Sequence, residues 1–167
     1  NIFLYNILGL ILVEKKEINE AIKSYEKGIR IKPDYAEIYN NLGTAYKTKK
    51  NYAEAENCYK KSINLNGNLP EAQNNLANLH LEINKYQEAI AGFKKAIDIN
   101  KNFFLAHYNL GIAYKNLGKF DEAKKCLNEA IKLNKYFYAA HRALSQITKY
   151  TRSDTHFVLL KKLYKNT

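Results

Sequence analysis

The stretch NNLGTAYKTKK at residues 40–50 returns in altered form as NNLANLHLEIN at 74–84 and YNLGIAYKNLG at 108–118, each start 34 residues after the last. Carrying that register along the chain gives segments 2–35, 36–69, 70–103 and 104–137, with a further start at Tyr138. Leu8, Leu42, Leu76, Leu110 and Leu144 then share a column, followed by the small residues Gly9, Gly43, Ala77, Gly111 and Ser145. Further columns hold Leu12, Tyr46, His80 and Tyr114; Ala21, Ala55, Ala89 and Ala123; Tyr25, Tyr59, Phe93 and Leu127; and Ile29, Ile63, Ile97 and Ile131. Self-similarity at this period marks stacked units that bury their apolar sides against one another.

The spacing within a unit is helical. Tyr39, Leu42, Gly43 and Tyr46 fall at i, i+3, i+4 and i+7, one face of a helix, and Ala55, Tyr59, Ser62 and Ile63 draw a second face. KTKKNY at 47–52 between them reads as a polar turn. Each unit is therefore a helix A, a tight turn and a helix B. The small columns let the two helices approach, and the large residues fill the space beside them. Glu20, Glu54, Glu88 and Glu122 precede the alanine column near the start of helix B, where a carboxylate meets the positive end of the helix dipole. Pro33 and Pro70 are expected in the turns between units.

Composition agrees. The 167 residues are 46% apolar, with only two prolines and seven glycines, which suits long helices and a packed core and argues against a turn-rich sandwich. The longest apolar run, residues 2–13, is short of the ~20 residues a membrane helix needs. It has neither the basic leader nor the cleavage site of a signal peptide. Cys58 and Cys126 occupy the same column two units apart, beyond disulfide reach, and read as small buried apolar residues. Nothing here calls for an oxidising compartment, so a cytoplasmic location is expected.

The net charge of +11 is uneven, with twelve Lys/Arg against four Asp/Glu in residues 115–167. With only three arginines and no base-stacking motif, it does not favour nucleic acid.

The columns resemble the tetratricopeptide repeat (TPR), whose pattern is an aromatic, then Leu-Gly, then Tyr, then Ala, then an aromatic. Here it reads Tyr39, Leu42, Gly43, Tyr46, Ala55 and Tyr59 in the second unit, and His107, Leu110, Gly111, Tyr114, Ala123 and Leu127 in the fourth. Gln73, His80 and Leu12 depart from it, and the family's terminal proline survives only as Pro33. The resemblance covers 2–135 as four repeats and implies an all-α, right-handed superhelical solenoid whose A helices line a concave face. Residues 138–167 are then a partial fifth repeat and a C-terminal capping helix. Ser153 or Asp154 would cap that last helix. Its apolar stripe would be drawn from Phe157 or Val158, Leu159 or Leu160, Leu163 and Tyr164. At the other end, Phe3, Leu10 and Val13 stand on a face that is polar in later repeats. This predicts either more chain before Asn1 or self-association through the apolar first helix.

There is no P-loop, Gly-rich dinucleotide loop, CxxC pair or HExxH, so no catalytic residue, cofactor or metal is expected. His80, His107 and His141 sit in packing columns, and His156 has no evident partner. The informative column is Asn41, Asn75 and Asn109. It resembles the asparagine ladder of O-linked N-acetylglucosamine transferases, in which an amide's donors and acceptor match those of a peptide bond. With A helices ~10 Å apart and an extended peptide advancing ~3.3 Å per residue, one Asn would grip roughly every third peptide unit. The chain also holds 21 asparagines in all, so the column reads equally as polar filler of a solvated groove. Groove neighbours would be Asn40, Thr44, Lys47, Glu71, Asn74, Asn78, Tyr108, Ile112, Lys115, Arg142 and Lys149, turning basic toward the C-terminus. The Lys/Asn carboxylate clamp of chaperone-binding relatives is not reproduced. Residues 139–166 are similar to the junction of bacterial proteins whose repeats lead into a sulfotransferase domain. The expected function is therefore a protein–protein interaction module whose groove binds an extended or helical segment of a protein or peptide ligand. The alternative is the substrate-recruiting arm of a larger glycosyltransferase or sulfotransferase.

Overall fold

The computed structural model describes residues 1–150 and 154–165, and these form ten α-helices. The A helices are α1 (Ile2–Glu14), α3 (Ala36–Thr48), α5 (Pro70–Glu82), α7 (Phe104–Asn116) and the shorter α9 (Tyr138–Ile147). The B helices are α2 (Ile18–Ile31), α4 (Tyr52–Leu65), α6 (Tyr86–Ile99) and α8 (Phe120–Leu133), and α10 (Thr155–Lys165) closes the chain. Each of α1, α3, α5 and α7 packs on the B helix that follows it, and each B helix on the next A helix. Successive A helices also touch one another, whereas among the described residues successive B helices do not. A stack that is close along one row and splayed along the other must curve, with the A helices on the inside. The A row is therefore the concave face.

The hairpins owe their closeness to the small column. A Cβ added at Gly43 would lie 2.8 Å from the ring of Tyr59, and one at Gly111 would lie 2.9 Å from Leu127. In the third repeat Ala77 fills the small column, and Gly92 of α6 yields the room instead, a Cβ there standing 2.8 Å from that of Ala77. Around these contacts Tyr25, Tyr59, Phe93 and Leu127 are fully buried, as are the four column alanines Ala21, Ala55, Ala89 and Ala123.

Every A-to-B turn is built alike. Lys16, Lys50, Asn84 and Gly118 all have positive φ, between 60° and 72°. The amide of Lys50 donates to the Lys47 carbonyl at 2.8 Å, and that of Asn51 reaches back to Tyr46 at 3.0 Å. The other three turns repeat this pair of bonds, the Schellman ending of a helix. Glu20, Glu54, Glu88 and Glu122 lie in the first turns of the B helices. Pro33 falls between α2 and α3. Pro70, expected in a turn, instead begins α5, where a missing N–H costs nothing and its fixed φ suits the helix.

Asp154 caps α10, accepting from the amides of His156 (2.9 Å) and Phe157 (3.3 Å). Ser153 and the side chain of Tyr164 lie outside the described residues. Leu159 packs on the apolar cluster of α8 and α9, while Val158 faces solvent. Cys58 and Cys126 are both free thiols. Burial pushes Cys58 up to about 12 and Cys126 up to about 11, which leaves them protonated and unreactive.

Candidate functional site: the concave face

The asparagines of the A helices are bonded to one another from repeat to repeat. Asn41 Nδ2 donates to Asn6 Oδ1 at 2.9 Å, Asn75 Nδ2 to Asn40 Oδ1 at 2.9 Å, and Asn109 Nδ2 to Asn74 Oδ1 at 3.0 Å. The rungs run 35 residues apart, one position off the repeat register. Two columns are involved: Asn6, Asn40 and Asn74 accept, and Asn41, Asn75 and Asn109 donate. The series stops where its residues change. Ile7 occupies the donor column in α1, and at the other end Tyr108 faces Ala143.

This geometry separates two groups of the sequence-predicted site. Asn40 and Asn74 are 9% and 5% exposed, so they are structural acceptors between helices and not groove-facing neighbours. A one-position step along a helix turns a side chain by ~100°, enough to move it from the open face to the junction. Asn41, Asn75 and Asn109 are half-buried. After its rung, each keeps one N–H and its carbonyl oxygen. At Asn41 that oxygen also lies 3.5 Å from Asn40 Nδ2.

The remaining predicted positions divide by neighbour. Asn78 is half-buried and forms no hydrogen bond to another described residue. Thr44 donates to the Asn40 carbonyl at 3.2 Å, which leaves its oxygen to accept from Tyr59 at 3.2 Å, so its hydroxyl serves the hairpin. Lys47 meets the Glu82 carboxylate of the next A helix at 3.3 Å. Tyr52 also donates to Glu82 at 2.7 Å, and the two partners hold that carboxyl below its usual range, the Tyr52 bond most strongly. Lys115 bonds the neutral Gln146 at 2.8 Å and forms no ion pair with another described residue. Tyr108 packs edge-on against Phe137, with ring centroids 5.0 Å apart. Ile112 packs on the α8–α9 cluster, and Glu71, Arg142 and Lys149 are exposed. The concave face is thus polar and locally neutral over α3 and α5, and carries positive charge from α7 onward.

Sequence reasoning missed what the first aromatic column does. Tyr39 Oη donates to the Pro33 carbonyl at 3.1 Å, His107 Nε2 lies 3.0 Å from the Lys101 carbonyl, and His141 Nε2 lies 2.8 Å from that of Lys135. In each case a ring donor reaches back six residues to the turn before its helix. The shared donor chemistry of Tyr and His at that column was the available signal. His141 has a second partner: its Nδ1 lies 2.8 Å from His156 Nε2, and His156 Nδ1 in turn meets Tyr150 Oη at 2.5 Å. Both histidines are buried. Burial, then the neighbouring His141, pulls His156 below the usual histidine range, against a smaller opposing pull from Asp154. The two imidazoles are bonded to each other, to a backbone carbonyl and to a phenol, so every ring nitrogen of the pair has a partner. Among the described residues no helix is long and apolar enough to cross a membrane.

A TPR repeat model matches residues 9–50, and tetratricopeptide repeat models match 34–102 and 104–137. The chain belongs to the tetratricopeptide repeat family. Among solved TPR structures, that of MamA superposes with a TM-score of 0.77 at 24% identity, over 95% of both chains. PilF of Pseudomonas aeruginosa gives 0.85 at 19%, over 98% of this chain and 73% of its own. These two likenesses concern the solenoid fold. The first TPR domain of Spaghetti (RPAP3), solved bound to the HSP90 peptide SRMEEVD, gives 0.66 at 26% identity, over 68% of this chain and 90% of its own. No curated protein matches the chain in sequence.

Proposed function

We propose that the concave face of this TPR array binds an extended segment of a partner protein, with acidic residues of that segment placed toward α7 and α9. The observation that carries this reading is the row Asn41, Asn75 and Asn109, three half-buried amides at repeat spacing on neighbouring A helices. Each retains a donor and an acceptor after its internal rung. Such groups bond a peptide backbone without regard to its side chains. Lys115, in no ion pair with another described residue, supplies direction, since a carboxylate gains most where no internal one competes. Lys47, already matched by Glu82, supplies little. The likeness to a peptide-bound TPR domain at 26% identity supports a peptide as the class of ligand.

The test is selection of peptides from a random displayed library on the immobilised chain, followed by anisotropy titration of the enriched sequences. Asn78→Ala and Lys115→Ala remove groove groups without touching a ladder rung. Enriched peptides should be acidic at one end and should lose about tenfold in affinity in the Lys115 variant, an effect of a single charged contact. If no peptide is enriched, or if both variants bind like the wild type, the groove reading fails.

A further inference from the structure

Helix α1 has no charged side chain from Ile2 to Val13, and six of its large apolar residues stand in solvent: Phe3, Leu4, Ile7, Leu8, Leu10 and Ile11, each between 44% and 66% exposed. A helix that is apolar on all sides is normally surrounded. Leu4, Ile7, Leu8 and Ile11, at i, i+3, i+4 and i+7, form one stripe along the open end of the stack. The repeat itself shows what such a stripe is for. The equivalents of Leu4, Leu8 and Ile11 in α3 are Ile38, Leu42 and Ala45, which are 0%, 5% and 0% exposed. They are covered by the preceding helix α2, which contributes Ile22 and Ile29 to the same cluster. The stripe on α1 is therefore a helix-packing surface of known kind that stands exposed on this chain.

Two features say which partner fits. At every junction between the first four repeats the donor column presents an asparagine that reaches across to an asparagine in the preceding A helix, but α1 presents Ile7 there. The position that needs an amide at an internal junction needs an apolar neighbour here, and α1 itself offers one. Charge points the same way. Residues 1–35 carry six Lys/Arg against five Asp/Glu, whereas residues 115–167 carry twelve against four. Two copies, each of net charge +11, meet at least electrostatic cost end to end through their near-neutral α1 helices, with the basic ends pointing apart.

We propose that the outer stripe of α1 docks the same stripe of a second copy, giving a two-fold dimer through Leu4, Ile7, Leu8 and Ile11. An isologous contact of this kind closes at two copies, because each stripe is used once. One helix stripe buries well under the ~800 Å² per partner of a standard interface, so the dimer is weak and depends on concentration.

Sedimentation equilibrium of the whole chain tests it. The weight-average mass should rise from 19.3 kDa toward twice that value, over loadings of about 5 to about 500 μM, the range in which a weak contact is read. Added salt should leave the association intact or strengthen it, since apolar burial is not screened and like charges are. Leu4→Lys with Ile7→Asn, at two largely exposed positions, should keep the helix content and raise the dissociation constant at least about tenfold. A wild-type chain that stays at 19.3 kDa throughout overturns the proposal. So does a double variant that dimerises like the wild type, or a mass that climbs past two copies. Flotation with uncharged phosphatidylcholine vesicles in place of dimerisation would assign the stripe to a lipid surface instead.

Discussion

Asn75 and Asn40 are joined by a 2.9 Å hydrogen bond across two neighbouring A helices, and the acceptor is 9% exposed while the donor is half-buried. Removing the donor leaves a buried carbonyl oxygen unsatisfied. Asn75→Ala should therefore cost about 1–3 kcal/mol of stability. Asn41→Ala should cost less, because its acceptor Asn6 is itself half-exposed and can turn to water. Urea unfolding followed by circular dichroism reads both. A cycle of Asn40→Ala, Asn75→Ala and the double variant should show a coupling of about 0.5 kcal/mol or more, as residues sharing a bond do. Independent, additive losses would mean that the rung carries no energy.

Four turns share one backbone conformation, and only the fourth has a glycine in it. Lys50 sits at φ 60° and Gly118 at φ 72°. A left-handed conformation costs a residue with a Cβ about 1–2 kcal/mol. Lys50→Gly should therefore raise stability by about 1 kcal/mol. Gly118→Ala should lower it by a similar amount although a Cβ there would touch nothing within 4 Å. Melting temperatures of the two variants should move in opposite directions. Movement in the same direction would show that turn backbone strain is not the controlling term.

Those turns mark where the sequence stops being legible. The hairpin order, the apolar columns and the small column follow from period and residue size alone, because burial acts on side-chain volume and recurs every repeat. The left-handed position does not announce itself in Lys16 or Lys50, residues with no preference for it, and only Asn84 and Gly118 are of types that favour it. The asparagine column is visible at a spacing of 34, but its bonds run at 35, between two columns that a register-by-register reading keeps apart. Lys47 and Lys115 look identical in their column. Only the next A helix, with Glu82 beside one and Gln146 beside the other, tells them apart.

Tyr25 and Tyr59 share a column and differ in their hydroxyls. Tyr59 Oη has Thr44 at 3.2 Å, whereas Tyr25 Oη is buried without a hydrogen-bond partner among the described residues, with Leu10 standing where Thr44 does. Tyr25→Phe should leave stability equal or slightly higher, and Tyr59→Phe should lower it by about 1 kcal/mol. Both phenols are pushed up to about 12 by burial, from an ordinary 10. The unfolded chain therefore loses these protons first. The native state then binds more protons than the unfolded one, and stability must fall as pH rises from 10 toward 12. Cys58, raised from 9 to about 12, adds to the fall from pH 9 upward. Denaturation curves between pH 8 and pH 11 should shift progressively to lower urea, less steeply in Tyr25→Phe. A flat profile would contradict the burial of these groups.

At the C-terminal end, α10 is tied to α9 by His156 and His141, whose facing nitrogens are 2.8 Å apart. His141 Nε2 faces a carbonyl and so carries a hydrogen. Its Nδ1 is then the acceptor for His156 Nε2–H while both rings are neutral. A proton added at His156 Nδ1 turns that N–H to Tyr150, whose hydroxyl then donates to Ser145 at 3.0 Å, and puts a charge on a ring that burial has taken out of water. Asp154, the cap of α10, favours protonation of His156, while burial and the neighbouring His141 oppose it. For His156, whose folded value is depressed, stability is complete above the unfolded value of ~6.5 and is lost as pH falls through the lower folded one. Hydrogen exchange of residues 155–163 should accelerate between pH 7 and pH 5 beyond the intrinsic pH dependence of exchange, with protection in α3 to α6 unchanged. His156→Gln should abolish the extra acceleration. Equal acceleration in the variant would place the acid sensitivity of this end outside the histidine pair.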